Sequence, residues 1–401
     1  MRIFRCSAPD AIFIAVTTNI WRLANILLIA QGIPALFMSL YIVLLLAKSC
    51  YLRWQIVLPM NAFKNFYKLI LITLFAMLLP AVALPQTCST GKVDERVAGF
   101  LKKQKAEQTM AQLKATSIDK LRNDAPEGFM KLPDDSVKRI KITKDNIRVN
   151  VVRHGTKNNL PVIINYHQGG FILPLLPWME YEALRMAKKF NAVVFDIDYR
   201  VAPEFKFPAA SNDASNAFVW VSEHASEYGG DPSKIILTGS GTGATLAALV
   251  AGKAKKEGKL KPIKLVVLNC PATDNPMISF YDSYEDNAKG YLSTKDMAVF
   301  LFQTYLDKSE WFKNNPEAWP IYEKDLTGMP PSLIITTEFD VFRDEGIAYG
   351  KKLEQAGNSV SIKCYPHQIH CFSGLPQEAE ERMRVYELMG EAISKATSSG
   401  K

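Results

Sequence analysis

The spacing of apolar residues changes several times along the chain, and each change marks a different element. From Asp94 to about Asp124 the period is helical, with Val97, Phe100 and Leu101, then Met110, Leu113 and Ile118, set among Lys, Glu and Gln. Val137 to Ile142 and Ile147 to Val152 alternate as hairpin strands do, joined by Thr143-Lys-Asp-Asn. Beyond Asn159, apolar strands alternate with amphipathic helices. The strands fall at 161–166, 192–198, 234–238, 264–268, 332–336 and 360–365, and the helices at 180–190, 211–228, 244–255, 345–356 and 376–396. That alternation predicts an α/β fold, with a mostly parallel sheet covered by helices on both faces. The aromatic-rich stretch from Asp274 to about Thr327 fits no strand–helix unit. Together with the 94–124 helices it is expected to cover a site.

Before Leu84 the pattern is different. Leu23 to Ala47 carries no charge, lies between Arg22 and Lys48, and is long enough for a transmembrane helix over residues 23–47. Leu69 to Ala83 is shorter, follows Lys64 and Lys68, and ends Ala81-Val82-Ala83, as a signal peptide does. Met60 stands where an initiator would. The chain therefore divides into a leader or upstream extension (1–59), a signal peptide or second anchor (60–83) and a globular domain (84–401), with a helical cap over 93–130. Basic residues between the apolar stretches would keep that loop cytoplasmic. In either arrangement the domain lies outside the cytoplasm, secreted or tethered to the membrane by its N-terminal segment.

Charge agrees with this division. The chain carries a net charge of +8, but Arg2, Arg5, Arg22, Lys48, Arg53, Lys64 and Lys68 precede Leu84 with Asp10 as the only acid. The remainder is nearly neutral, which argues against a nucleic-acid partner. Of six cysteines, Cys88, Cys270, Cys364 and Cys371 lie after the leader and show no C-x-x-C spacing. They are expected to be buried thiols, since a domain of this size needs no disulfide. No metal or cofactor is expected.

Chemistry in such sheets collects at the carboxyl ends of the strands. Four ends stand out. Tyr166-His167-Gln168-Gly169-Gly170 puts two glycines after a strand, where bare amides can form an oxyanion hole. Gly239-Ser240-Gly241-Thr242-Gly243 passes from strand to helix in the frame of the nucleophile elbow G-x-S-x-G, with glycine where serine belongs. Ser240 is one residue early; it reads as a helix-capping hydroxyl or a displaced nucleophile. Asp340 directly follows an apolar strand and would orient a histidine, whereas Asp344 and Glu345 are placed to cap the next helix. His370, beyond the last strand, completes the order elbow, acid, base; His367 reads as pocket lining or surface.

These motifs resemble the hormone-sensitive-lipase-like family of α/β-hydrolases, from about Val93 to Ala396. His167-Gln-Gly-Gly stands for HGGG, Asp198-Tyr-Arg-Val-Ala-Pro-Glu204 for DYRLAPE, Phe207-Pro-Ala-Ala for FPAA and Ile369-His370-Cys-Phe372 for IHGF. The resemblance implies an eight-stranded sheet under an N-terminal helical cap. By position it makes Asp340 and His370 the acid and base, and Gly169, Gly170 and Thr242 the oxyanion donors. It implies a carboxylic-ester hydrolase acting on a small apolar ester. Because GDSAGG appears as Gly239-Ser-Gly-Thr-Gly-Ala244, the expected activity is lost or greatly lowered. The alternative is a non-catalytic protein that binds a small molecule in the same pocket. N-terminal sequencing of protein from the native host should find a chain starting near Leu84; an intact Met1 species extracted only with detergent would refute cleavage.

Overall fold

The computed structural model describes residues 88, 90–103, 108–123, 137–142, 146–372 and 379–398. All belong to one compact unit, Gln86–Lys401. The leader, the 23–47 helix and the 60–83 signal segment lie outside the described residues.

Among the described residues the cap has three short helices, α1 (Glu95–Leu101), α2 (Met110–Ala115) and α3 (Ile118–Asn123). The apolar period over 94–124 does not mean one helix, because polar residues punctuate it. Thr109 and Gln112 form a reciprocal capping box that starts α2, and Thr116 leaves helical geometry at its end. Arg122 ties α3 down. Its guanidinium donates to Glu204 at 2.8 Å through both terminal nitrogens, to the Ala202 carbonyl at 3.0 Å and to the Ile172 carbonyl at 2.9 Å. The cap is thus pinned to the loops beside the sheet's carboxyl edge.

The sheet contains β1 (Val137–Ile142), β2 (Ile147–Val152), β3 (Leu160–Tyr166), β4 (Val193–Asp198), β5 (Gly230–Ser240), β6 (Ile263–Asn269), β7 (Ser332–Phe339) and β8 (Val360–Ile369). The strand order is β1-β2-β4-β3-β5-β6-β7-β8. β2 pairs antiparallel with β1 and β4, and all other pairs are parallel. Among the described residues the longer helical elements after the cap are α4 (Pro177–Phe190), α5 (Ala209–His224), α6 (Thr242–Lys256), α7 (Asp282–Asp286), α8 (Lys295–Tyr305), α9 (Arg343–Gln355) and α10 (Ala379–Ser398). Alternate residues of β3 serve the two cores. Val162, Ile164 and Tyr166 join the cluster with α5 and α6, while Ile163 packs with α4 and α10. This is the α/β-hydrolase architecture. Among the described residues no helix is long and apolar enough to cross a membrane.

Two expectations are corrected here. Asp344 and Glu345 occupy the first turn of α9, but the cap residue is Phe342 and no side chain caps the helix. Asp344 instead accepts from the Ser283 amide, and the fully buried Glu345 accepts from the Thr273 amide and the Tyr284 hydroxyl. They anchor the segment 273–284 that sequence periodicity leaves unassigned. Cys88 and Cys364 are not free thiols; they form a disulfide across 276 residues, while Cys270 and Cys371 remain free and buried. The bridge fastens the start of the domain to the outermost strand. Hydrogen bonds extend the attachment: the Glu338 carboxylate accepts from the amides of Thr90, Gly91 and His367, and the Asp94 amide donates to the His367 carbonyl. Closing so long a loop restricts the unfolded chain strongly, so Cys364→Ser should destabilise the domain by about 2–5 kcal/mol in denaturant titration. An unchanged midpoint would show the bridge to be incidental.

Candidate active site

The turn from β5 into α6 is made at Gly241, with φ 55° and ψ −123°. Residues with a Cβ rarely adopt such a backbone, and glycine does so at little cost. The flanking glycines have a different reason. A Cβ on Gly243 would fall 1.9 Å from the Tyr166 carbonyl oxygen, and one on Gly239 would fall 2.3 Å from the Gly243 carbonyl carbon. Only bare backbone lets α6 begin this close to β3. The strand-to-helix turn thus has glycine at 239, 241 and 243, with no side chain at its apex.

Facing that apex are an acid and a base. Asp340 follows β7 and is fully buried. Its Oδ1 accepts from the Phe342 amide at 2.9 Å and its Oδ2 faces His370 Nδ1 at 2.8 Å. A carboxylate can only accept, so it holds the proton on Nδ1 and leaves Nε2 free. A Cβ on Gly241 would lie 3.3 Å from that Nε2. Burial pulls the His370 pKa down, but the charge and hydrogen bond of Asp340 outweigh it and push it up to about 9. The edge of Phe342 covers the imidazole, with centroids 5.4 Å apart.

The third component is the loop after β3. Among the described residues the amides of Gly169 and Gly170 donate to no partner, as an oxyanion site requires. His167 holds this loop in place. Its ring stacks on Tyr199 at 4.0 Å, Nδ1 contacts the Gln168 carbonyl at 2.7 Å, and burial lowers its pKa to about 4, so it is neutral. The Tyr199 hydroxyl donates to the His167 carbonyl at 2.8 Å. Leu301 of α8 lies directly over Gly170, so the aromatic-rich stretch does reach the site. Thr242 is the first residue of α6, beside Gly241.

Two other candidates are placed elsewhere. The Ser240 hydroxyl accepts from the Asn269 side chain at 3.1 Å, and α6 has no side-chain cap, so Ser240 braces β6 rather than capping the helix. His367 joins the N-terminal attachment, with Nδ1 at 2.6 Å from the Lys92 carbonyl. Sequence reasoning missed Asn287, whose side-chain amide donates to the carbonyls of Glu338 and Asp340 at 3.1 Å each and so fixes the acid loop. It lies in the unpatterned stretch, where spacing carries no signal. A groove between α5 and α6, lined by residues including Trp220, Glu223, Lys253 and Lys259, shares none of the residues described above.

The sheet order and the helices on its two faces are those of an α/β-hydrolase. Residues 163–374, more than half of the chain, match the family model described as alpha/beta hydrolase fold, and the chain belongs to that family of carboxylesterase-type hydrolases. Among curated proteins it is 33% identical over 216 residues to carboxylesterase NlhH of Mycobacterium tuberculosis, covering 53% of this chain and 67% of the relative. It is 35% identical over 222 residues to carboxylic ester hydrolase LipN of the same organism, covering 54% of this chain and 58% of LipN. Among solved structures, a thermostable esterase from Pseudomonas putida superposes with a TM-score of 0.68 at 29% identity, covering 78% of this chain and 99% of that one.

A folded-state pKa of about 9 lies above the ordinary imidazole value of about 6.5. The proton on His370 therefore favours folding below pH 6.5, and that contribution is lost as pH rises through about 9. NMR titration of the His370 ring should give a midpoint near 9 that falls in Asp340→Asn, where burial is opposed only by the charge of Cys270. A midpoint unmoved by that substitution would remove Asp340 as the cause.

Proposed function

We propose that this domain is a carboxylic-ester hydrolase whose acid, base and oxyanion donors are retained but whose nucleophile is missing, so that turnover is lost or greatly lowered. The observation that carries this reading is the free Nε2 of His370, held by Asp340 and aimed at the bare Cα of Gly241. In an intact site a serine at the elbow would attack the ester carbonyl and His370 would take its proton. The imidazolium would then return that proton to the leaving alcohol, and Asp340 would fix the ring throughout. The amides of Gly169, Gly170 and Thr242 would receive the oxyanion. Without serine no acyl-enzyme forms, and the remaining chemistry is attack by water with His370 as base. At neutral pH that base is mostly protonated, which lowers even this route.

The substrate class is a small, largely apolar ester. The proposed location is outside the cytoplasm, either secreted or anchored through the N-terminal segment. The Cys88–Cys364 disulfide supports that compartment, because such bonds persist under oxidising conditions.

Gly241→Ser tests the reading directly. The backbone is already set for a nucleophile, though the new Cβ needs the His370 ring to yield by a few tenths of an ångström. Some loss of stability, about 1–3 kcal/mol, is expected from placing a side chain on this backbone. Activity toward small p-nitrophenyl esters should rise by orders of magnitude over the parent and increase with pH toward about 9. A folded variant no more active than the parent would overturn the assignment. In the parent, a fluorophosphonate should leave Ser240 unlabelled; an adduct there would make Ser240 the nucleophile.

A further inference from the structure

Two cysteines lie beside the acid–base pair and have no part in ester hydrolysis. Cys270 follows β6 and Cys371 follows His370, and both are buried. Their sulfur atoms and a ring nitrogen of His370 all lie within 4.8 Å of one another. The Cys371 amide donates to Cys270 Sγ at 3.3 Å. An amide directed at sulfur favours the thiolate, the form in which cysteine binds metal, and here it acts on Cys270. The imidazole is backed by a carboxylate, since Asp340 holds Nδ1 and leaves Nε2 as the free ring nitrogen. A carboxylate behind a histidine is the arrangement that orients ligating imidazoles in metal sites. The glycine at the elbow matters as well, because a side chain at 241 would place its Cβ 3.3 Å from Nε2. Glycine leaves that position without a side chain.

We propose that Cys270, Cys371 and His370 form a binding site for one thiophilic cation of the Zn2+ class, with two thiolates, one imidazole and a fourth position open toward Gly241. Two sulfurs and one nitrogen suit a tetrahedral d10 ion and do not suit Mg2+ or Ca2+. Binding releases the two thiol protons and any proton on Nε2, and no electrons are transferred. The site requires only these three side chains and does not depend on the ester-hydrolase reading. Where that reading also holds, the ion competes with the proton for His370 and would block the base.

The test uses the full chain with its Cys88–Cys364 bridge intact, stripped with a chelator and titrated with Cd2+ and Co2+. Thiolate-to-metal charge-transfer absorption is followed, and Zn2+ competes. One ion per chain should bind with a charge-transfer band that Zn2+ displaces. Cys270→Ser and Cys371→Ser should each weaken binding at least about tenfold, since even loss of an outer partner weakens metal sites by about that much. His370→Ala provides a third variant if either serine variant fails to fold. Absence of the band in the parent overturns the proposal, as does binding that survives all the folded variants, because other cysteines would then be responsible. Peptide mapping that finds Cys270 joined to Cys371 would also overturn it, making the pair a disulfide. Esterase activity in Gly241→Ser without metal binding in the parent would sink this site and leave the hydrolase reading intact.

Discussion

The close approach of α6 to β3 and β5 sets the geometry of the whole site. Because Gly239 and Gly243 have no Cβ, the chain reverses from strand to helix within a single residue, and the helix begins almost against the Tyr166 carbonyl. That contact determines where Gly241 sits, how near the loop after β3 comes to it, and what His370 must reach from β8. The elbow is held by neighbouring backbone, so it does not need a nucleophile in order to form. On the proposed reading, the missing serine removes a chemical group while leaving the fold around it in place, and glycine suits the backbone at that point.

Much of this was legible in the sequence, and the reasons differ from part to part. The strands could be read because a parallel sheet buried on both faces makes each strand a short apolar run, as in Val193–Asp198 and Ser332–Phe339. Asp340 and His370 could be read because strand ends fix where side chains emerge, and the structure brings the two to 2.8 Å. The cap could not be resolved into three helices from periodicity, since Thr109 and Thr116 interrupt a pattern that the apolar residues continue.

Other features depend on long-range contact and leave no local trace. Cys88 and Cys364 pair across nearly the whole domain, and Cys270 meets Cys371 only because β6 ends beneath the loop that carries His370. Spacing rules for cysteine look for neighbours in sequence, and here the neighbours are made by the fold. Glu345 reads locally as a residue of the first helical turn, yet it is buried because Thr273 and Tyr284 come to it.

The attachment at the start of the domain also determines which molecule an experiment would examine. Glu338 lies two residues before Asp340, and His367 lies in β8 three residues before His370. Both are held by the segment that Cys88 secures to β8. Protein made in a reducing bacterial cytosol would lack that fastening, and the loops that set the acid and base would lose one of their restraints. Silence in an assay of such material would reflect its folding history as much as the residue at 241. Material oxidised during production is the proper subject for any measurement on this site.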